Sequence, residues 1–526
     1  MFRLSVRAAP VIAVSLVLAA CGGGGGGGAS PPPPAPSPPT LPPPSNGNQP
    51  YLDLTVYSSS PAASLASAVE AAAITRHQIT LRGTTIDYTA TTGHLTAADA
   101  STGAPKASFF YVAYTRDNQA AATRPVTFFY NGGPGSASVW LHLGSFGPKR
   151  LVTGDPSTTA PTPFPLVDNN ETLLDTSDLV FVDAIGSGYS QAIAPNNNQT
   201  FWGVDQDAAV FRDFVVRYLT VNNRLASPKF LFGESYGTTR SAVLANLMEA
   251  AGVSLNGVVL QSSVLNYNSN CGVVNVILSC AGYLPAYGAT GAWFNLVNPA
   301  PTDLSVFAQQ LRDFTVATYA PANLVWLTNR ALPPAGTLNQ LRDFTGIPVG
   351  LWQTNFNLRP GTFQAQLRPG FLLGRYDARV IAPVGSPLAS QGDPSSTFIS
   401  AQFASAIVNY LVTFLQYGNA SPYTLLSNAI ATWNFSHDGQ PIPDTIPDLA
   451  AALVQNPDLK VLAVSGYHDL ATPFYQTEID LARLGTQPNV SVRNYAGGHM
   501  TYLDDGSRPV MRVDLETFYQ AALAVQ

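Results

Sequence analysis

Residues 233–237 read Gly-Glu-Ser-Tyr-Gly and follow an apolar run over 229–232 that predicts a buried strand. Glycines two positions before and after Ser235 permit a strand-to-helix turn too tight for side chains, which would expose the serine hydroxyl above a sheet. A serine in such a nucleophile elbow can attack a carbonyl carbon. Because a Gly-rich chain can carry this pattern by chance, the prediction depends on a histidine and an acid in suitable loops further along.

Two later strands supply that acid and that histidine at their carboxyl ends. Asp469 follows a predicted strand over 460–465, and His499 follows the last predicted strand, over 490–494. The chain order serine, acid, histidine is that of the α/β-hydrolase fold. We therefore predict that Ser235 is the nucleophile, that His499 is its base and that Asp469 orients the histidine.

Competing residues are placed less suitably for these roles. His468 adjoins the acid and His142 lies near a glycine-rich loop, but neither follows the final strand. Asp504 and Asp505 come after the histidine, so the chain order excludes them as the acid. The triad prediction therefore rests on loop position and chain order together.

A glycine-rich loop, Asn-Gly-Gly-Pro-Gly over 131–135, follows the predicted strand over 126–130. Its backbone N–H groups have no neighbouring side chains to block a substrate. Such a loop can pair with the N–H of the residue after the nucleophile to hold a developing oxyanion. We predict an oxyanion hole formed by Gly133 and Tyr236.

Strand and helix signals alternate in the order that a parallel sheet requires. Two antiparallel strands are predicted to open the sheet, over 78–82 and 108–115. Buried strands are predicted over 126–130, 179–183, 229–232, 257–261, 460–465 and 490–494, with helices over 204–219 and 510–523. The predicted fold class is α/β, an α/β-hydrolase fold with a mostly parallel central sheet.

This alternation is interrupted over 264–457 by Pro-rich and amphipathic pieces, which predict an inserted cap. The hydrolase domain would then consist of a first part over 51–263 and a second part over 458–526. With 526 residues, 46% of them hydrophobic, the chain is long enough to bury a large core.

The first residues are predicted to be a targeting signal rather than part of the folded domain. Two arginines precede a short apolar stretch that ends in Leu-Ala-Ala-Cys, which resembles a bacterial lipobox. Residues 1–20 would be the signal peptide and Cys21 the lipid-modified terminus. The Gly- and Pro-rich residues 21–50 would form a tether to a membrane. A simple secretory signal is the alternative.

The composition of the chain argues against some classes of binding partner. The net charge of −6 and the absence of Lys/Arg runs argue against nucleic-acid binding. Besides Cys21 the chain has two cysteines, Cys271 and Cys280, which would form a local disulfide in an oxidising compartment. No Cys or His cluster has the spacing of a metal site, and we predict neither a metal nor a cofactor.

The motifs described above, together with Val-Asp-Ala-Ile-Gly-Ser-Gly-Tyr-Ser over 182–190, resemble those of serine carboxypeptidases of the carboxypeptidase Y type. The resemblance spans about residues 111–502, with its blocks in family order. It implies removal of C-terminal residues from peptides, usually best at acid pH. It also implies that Asn131, Gly132 and Glu234 hold the free carboxylate of the peptide.

The glutamate role requires a proton, since two carboxylates at contact distance repel. Two positions depart from the family pattern. Phe129 stands where characterised members often have Trp, and Ser145 aligns with a Glu that partners the binding carboxyl in many members. Without that second carboxyl, we expect Glu234 to be less easily kept neutral.

Two other functions use the same features. An esterase or acyltransferase would form the same acyl-enzyme and would differ only in the group that leaves when it forms and the group that attacks it afterwards. A non-catalytic binding lipoprotein on a hydrolase scaffold is the alternative outside enzymes. Retention of Asn131 and Glu234 favours the peptidase, and the complete triad argues against the binding protein.

Overall fold

A computed structural model describes residues 47–274 and 277–524. The predicted signal peptide, Cys21 and most of the predicted tether lie outside these residues. Within them, no helix combines the length and the apolar character needed to cross a membrane.

The strands and helices follow in chain order. The strands are β1 (Tyr51–Asp53), β2 (Ala72–Leu81), β3 (Thr84–Ala98), β4 (Pro105–Arg116), β5 (Val126–Tyr130), β6 (Lys149–Leu151), β7 (Leu166–Asp168), β8 (Asp178–Val182), β9 (Gln191–Ala192), β10 (Lys229–Glu234), β11 (Gly257–Gln261), β12 (Phe371–Leu373), β13 (Ile381–Pro383), β14 (Tyr417–Asn419), β15 (Lys460–Gly466) and β16 (Val490–Tyr495). The α-helices are α1 (Val139–Gly144), α2 (Val204–Val221), α3 (Tyr236–Ala250), α4 (Leu284–Trp293), α5 (Leu304–Phe314), α6 (Ala320–Asn329), α7 (Ala335–Thr345), α8 (Val349–Thr354), α9 (Pro360–Gln366), α10 (Pro394–Thr413), α11 (Ile446–Gln455), α12 (Phe474–Ala482) and α13 (Ser507–Leu523).

The described residues form a ten-stranded sheet in the order β16-β15-β11-β10-β5-β8-β4-β3-β2, with β9 paired to β4. The strands from β16 to β8 run parallel, and β4, β3 and β2 continue the sheet antiparallel. The mostly parallel sheet and the α/β class are therefore confirmed. Every residue of β5, β8, β10 and β11 is buried, as expected for strands covered on both faces.

The 15-residue strand β3 was not predicted. Its sequence, Thr-Thr-Ile-Asp-Tyr-Thr-Ala-Thr-Thr-Gly-His-Leu-Thr-Ala-Ala, is rich in Thr and Ala and carries only a weak alternation of apolar and polar residues. β2 pairs with residues 84–93 and β4 with residues 88–98, so every residue of β3 has a partner strand on at least one side.

Helices cover both faces of the sheet. On one face, α10 and α13 bury Phe403 and Leu515 with residues such as Phe129 of β5. On the other face, α2, α3 and α11 bury side chains such as Phe211 with Leu231 of β10. The central strands therefore reach the active-site edge within two packed layers.

The segment over 264–457 divides between two packing environments. Helices α4 to α9 pack around their own apolar cluster, which includes the disulfide between Cys271 and Cys280. In contrast, α10 and α11 pack on the core of the sheet. The segment assigned to the cap thus also contributes helices to the hydrolase body, because their apolar faces match the exposed faces of the sheet.

Candidate active site

Ser235 occupies the turn between β10 and α3. Its backbone φ of 60° and ψ of −127° lie in a region that non-glycine residues rarely adopt. A Cβ on Gly233 would collide with the carbonyl oxygen of Gly237, and a Cβ on Gly237 would lie 2.9 Å from the carbonyl oxygen of Tyr130. These two glycines therefore permit the sharp turn that the sequence pattern predicts.

His499 and Asp469 are hydrogen-bonded partners in the loops that follow β16 and β15. The distance from His499 Nδ1 to Asp469 Oδ2 is 2.7 Å, and both side chains are buried. The backbone N–H groups of Ala471 and Thr472 donate to Asp469 Oδ1 at 2.7 and 3.1 Å, and the Thr472 hydroxyl donates to Oδ2 at 2.8 Å. This arrangement orients the imidazole and leaves Nε2 for proton transfer.

Three residues hold the backbone of His499 in position. Its carbonyl oxygen accepts hydrogen bonds from Gln261 Nε2 at 2.9 Å and from the Ser262 hydroxyl at 2.6 Å, at the end of β11. Its N–H donates to the carbonyl of Tyr376 at 2.6 Å, and the two rings lie 4.8 Å apart. The histidine loop is thus bonded both to the sheet and to the segment that covers the site.

Ser235 and His499 line the same cavity. Ser235 Oγ makes no hydrogen bond to another described residue. Proton transfer to His499 therefore requires the two side chains to approach each other when substrate binds, a tightening that unliganded active sites commonly need.

The charges around His499 favour its protonated form. Burial is the largest single effect and lowers the pKa of His499, but the charge and the hydrogen bond of Asp469, together with the other charges around the ring, outweigh it, so that the pKa lies above its ordinary value. The carboxyl of Glu234 raises it further, and Arg375 lowers it. A group of this kind can accept a proton from serine and hold it as an imidazolium paired with Asp469.

Two backbone N–H groups beside Ser235 are available for an oxyanion. Tyr236 is the first residue of α3, so its N–H has no acceptor within the helix. Among the described residues the N–H of Gly133 also lacks a backbone acceptor. A Cβ on Gly132 would strike the backbone nitrogen of Tyr236, so a glycine there keeps this site open.

Glu234 is buried beside the elbow and lines the cavity together with Asn131. Its Oε2 accepts a hydrogen bond of 2.5 Å from the Tyr502 hydroxyl. Burial raises the pKa of Glu234 to about 7, although the charge of His499 and the hydrogen bond from Tyr502 lower it. The carboxyl is therefore neutral at mildly acid pH without a second carboxyl beside it.

Asn131 presents an unused donor in the same place. Its Oδ1 accepts the N–H of Leu141 at 3.1 Å, at the start of α1. Its Nδ2 is buried and makes no hydrogen bond of ordinary geometry within the described residues, although it lies close enough to lower the pKa of Glu234. An orphaned buried donor beside a protonated carboxyl matches the needs of a carboxylate ligand.

The two departures from the family pattern are both accommodated within the body of the protein. The ring of Phe129 stacks between Phe181 and Phe232, with centroids 4.8 and 4.9 Å away. The hydroxyl of Ser145 donates to the carbonyl of Leu141 at 2.5 Å. Ser145 thus closes the end of α1, and Tyr502 is the side chain that contacts the carboxyl of Glu234.

The rival residues have other partners. His142 lies 2.6 Å from the Tyr114 hydroxyl, and burial lowers its pKa to about 3. Burial likewise lowers the pKa of His468 to about 3. Asp504 accepts a hydrogen bond from Arg379 at 2.7 Å, and Asp505 one from Arg508 at 2.6 Å.

A cluster of His437, Asp438 and Asp448 has ligand atoms close enough together to hold a metal ion. Both ring nitrogens of His437 already contact carboxylates, Nδ1 with Asp205 at 2.6 Å and Nε2 with Asp448 at 2.8 Å. The hydrogen bond with Asp448 is the largest of the effects that raise the pKa of His437 to about 9. A protonated imidazole has no lone pair for a metal, so we assign an ion pair there.

Two cavities meet at Ser235. The larger, of about 470 Å³, is lined by Asn131, Glu234 and His499. The smaller, of about 200 Å³, lies on the side of Tyr236 and includes Arg375 and Thr472. An extended substrate whose scissile carbonyl lies at Ser235 would therefore place its two sides in different cavities.

Residues 82–273 match the family model of serine carboxypeptidases. The matched segment contains the elbow, the glycine-rich loop and the buried glutamate. Over this segment the chain is similar to serine carboxypeptidases. The match supports a hydrolase of the serine carboxypeptidase type.

The chain is similar in structure to solved proteins. A prohormone-processing carboxypeptidase from Saccharomyces cerevisiae is 15% identical, with 82% of this chain and 91% of that chain covered and a TM-score of 0.52. A proline iminopeptidase from Mycobacterium smegmatis is 15% identical, with 82% and 100% covered and a TM-score of 0.36. At this identity the likeness to the yeast carboxypeptidase shows the fold alone. No curated protein sequence matches the chain.

Three site residues were missed by reasoning from the sequence. Thr472, Tyr376 and Tyr502 contact Asp469, His499 and Glu234 respectively. Thr472 follows the acid by three positions, a spacing at which a hydroxyl and a backbone N–H commonly bond a carboxylate. Tyr376 and Tyr502 carry no comparable local signal.

Proposed function

We propose that this protein is an exported carboxypeptidase that removes single residues from the free C-terminus of peptides through an acyl-enzyme. The observation that carries the proposal is the buried carboxyl of Glu234, with a pKa raised to about 7, beside the unpaired donor Asn131 Nδ2 in the cavity of Ser235. Such a pair recognises a carboxylate, and a hydrolase acting only on neutral esters has no need of it.

In the proposed reaction, Ser235 Oγ attacks the scissile carbonyl carbon while its proton passes to His499 Nε2. The N–H groups of Gly133 and Tyr236 stabilise the oxyanion. The amine of the C-terminal residue then leaves with the proton held by His499. Water, activated by the same histidine, attacks the acyl-enzyme and releases the shortened peptide.

The larger cavity would take the C-terminal residue. A protonated Glu234 donates one hydrogen bond to the terminal carboxylate, and Asn131 Nδ2 and the N–H of Gly132 supply others. This arrangement places the preceding peptide bond at Ser235. A peptide extended beyond its terminal carboxylate would meet the buried wall formed by Glu234, which accounts for removal of one residue at a time.

The test compares matched peptides that end in a free acid or in an amide. We expect kcat/KM to be about 5- to 150-fold higher for the acid, equivalent to about 1–3 kcal/mol for a buried polar group left unpaired. Ser235→Ala should abolish cleavage. Ser254→Ala changes an exposed serine between α3 and β11 and should retain activity.

Equal kcat/KM values for acid and amide would contradict the carboxypeptidase assignment. Rapid hydrolysis of simple esters, with peptides untouched, would instead establish the esterase alternative. Release of internal fragments would indicate an endopeptidase.

We also propose that the protein is exported and that lipid on Cys21 anchors it to a membrane. The lipobox-like ending before Cys21 and the Gly- and Pro-rich residues that follow support this proposal. The bond between Cys271 and Cys280 is consistent with an oxidising compartment. In this arrangement the catalytic body would act on peptides outside the cytoplasm.

A further inference from the structure

Arg375 lines the smaller cavity beside Ser235, on the side away from Glu234. The other described residues that line this cavity are apolar, aromatic or neutral, among them Val264, Tyr267 and Phe435. Arg375 is thus the one charged side chain among them. With about 200 Å³ of space, the cavity can accept a long side chain.

The guanidinium of Arg375 has no ionic partner in the structure. Within residues 47–274 and 277–524 no carboxylate oxygen lies within 4.0 Å of its nitrogens. Its Nη2 donates to the carbonyl of Gly272 at 3.2 Å. A guanidinium carries five N–H donors, so most of its hydrogen-bonding capacity remains for a ligand.

The backbone around Arg375 is held against both catalytic loops. Its carbonyl oxygen accepts the N–H of Leu470 at 3.0 Å, next to Asp469, and its own N–H donates to Asp393 Oδ1 at 3.0 Å. The next carbonyl, that of Tyr376, accepts the N–H of His499. The backbone that carries the cation is therefore held in place relative to the catalytic loops.

We infer that Arg375 selects peptides with an acidic side chain at the residue that donates the acyl group, the penultimate residue of the substrate. This inference rests on the proposed function, which places the C-terminal residue in the larger cavity and the penultimate residue in the smaller one. A partly enclosed guanidinium without a counter-ion gains a charge-assisted, bidentate pair when Glu or Asp enters. A neutral side chain leaves it unpaired.

The proposed acidity of the substrate is compatible with the proton needed on Glu234. A glutamate side chain of a peptide is ionised above a pKa of about 4.3. Burial raises the pKa of Glu234 to about 7. Between these values the substrate side chain is charged for Arg375 while Glu234 remains neutral for the terminal carboxylate.

The test uses free-acid peptides that differ only in Glu, Gln or Leu at the penultimate residue, assayed near pH 5.5. We expect wild type to prefer Glu to Gln by about tenfold or more in kcat/KM. Arg375→Gln should reduce this ratio below about threefold, and Arg375→Lys should retain part of it. Arg330→Gln removes the same charge from an exposed site on the cap and should leave the ratio unchanged.

The pH dependence gives a second readout. In wild type the Glu/Gln ratio should fall below about pH 4.3 as the substrate side chain gains a proton. Because Arg375 lowers the pKa of His499, Arg375→Gln should also move the acid limb of kcat/KM to higher pH for every peptide. Circular dichroism and Tm show whether Arg375→Gln is folded. If it is not, the same measurements are made with Arg375→Lys.

Three outcomes separate this inference from the proposed function. A Glu/Gln ratio near one in wild type, with efficient cleavage of free acids, overturns the role of Arg375 alone. Loss of discrimination between acid and amide termini in Arg375→Gln would place Arg375 against the terminal carboxylate and also overturn it. If no peptide is cleaved, the carboxypeptidase proposal fails, and α-p-nitrophenyl esters of N-acylated Glu and Gln test the same cavity. A preference for the Glu ester would then support the role of Arg375.

Discussion

Glu234 shows how one side chain acquires an unusual protonation state from its surroundings. Burial favours the neutral acid, while the Tyr502 hydroxyl and the charge of His499 favour the anion. Burial is the largest of these effects, so the pKa rises to about 7. Because Glu234 and His499 influence each other, activity should follow the titration of the pair rather than of either group alone.

Replacing Glu234 with Gln should broaden the pH range of activity on free-acid peptides. Gln is neutral at all pH values, so the decline of kcat/KM above about pH 7 should flatten. The Glu234 anion also raises the pKa of His499, so its removal should shift the acid limb to lower pH. Steady-state kinetics from pH 4 to 9 measure both limbs, with Glu249→Gln, at the far end of α3, as the control. Identical profiles for wild type and Glu234→Gln would remove Glu234 from carboxylate binding.

Tyr502→Phe should move the alkaline limb of kcat/KM to higher pH. The Tyr502 hydroxyl donates to Glu234 Oε2 and stabilises its anion, so loss of this donor should raise the pKa of Glu234 further. A hydrogen bond to a charged group corresponds to a shift of about one pH unit. Tyr495→Phe removes a hydroxyl that binds Asp514 away from the site and should leave the profile unchanged. A downward shift of the limb in Tyr502→Phe would contradict this account.

At the scale of elements, the site depends on how closely the glycine-rich loop after β5 approaches the turn between β10 and α3. These two strands are parallel neighbours, so their carboxyl ends lie side by side. Gly132 meets the turn where a side chain would contact the backbone atoms of Glu234, Tyr236 and Gly237. The predicted oxyanion hole would therefore depend on contact between these two elements.

Gly132→Ala should lower kcat by about 100-fold or more and reduce Tm. The added methyl group would displace the Tyr236 N–H from the oxyanion, and one lost oxyanion donor costs about that much. Gly361→Ala, in α9, adds the same methyl group where nothing lies within 4 Å. It should keep full activity and an equal or slightly higher Tm. Unchanged kcat in Gly132→Ala would exclude this loop from the oxyanion hole.

At the scale of the whole molecule, the proposed anchor lies in a different part of the chain from the catalytic site. The described residues fold into two packed layers on a sheet and a helical segment, with hydrogen bonds from Leu470 and His499 to the backbone at 375 and 376. The Gly- and Pro-rich residues that precede them carry none of the proposed catalytic residues. Loss of the anchor should therefore change location without changing catalysis.

Cys21→Ser should release the protein from membranes in soluble form with unchanged kcat/KM. The lipid would be attached to the Cys21 sulfur, and serine cannot carry that thioether. Membrane fractionation after a salt wash measures location, and hydrolysis of a free-acid peptide measures folding. Gly24→Ser, within the same glycine tract, is the control and should remain with the membrane. Sedimentation of Cys21→Ser with the membrane would place the anchor elsewhere.

Much of the sheet could be predicted from the sequence, because its central strands are buried on both faces. The predicted bounds of β5 and β11 coincide with Val126–Tyr130 and Gly257–Gln261, since a continuous apolar run needs no distant partner to be recognised. The serine between two glycines is equally local: its turn depends on five consecutive residues. The catalytic roles assigned to the triad, and the roles of Gly133 and Asn131, stay predictions for the kinetic tests above.

Tertiary structure alone decided the features that depend on partners far apart in the chain. β3 is held by its two neighbouring strands, and α11 joins the core because the sheet offers it an apolar face. Tyr502 meets Glu234 across 268 positions, and Arg375 reaches the cavity of Ser235 through contacts with two catalytic loops. The sequence alone shows periodicity and turns. The burial that sets the pKa of Glu234 and the lack of a counter-ion near Arg375 among the described residues arise only when distant segments pack together.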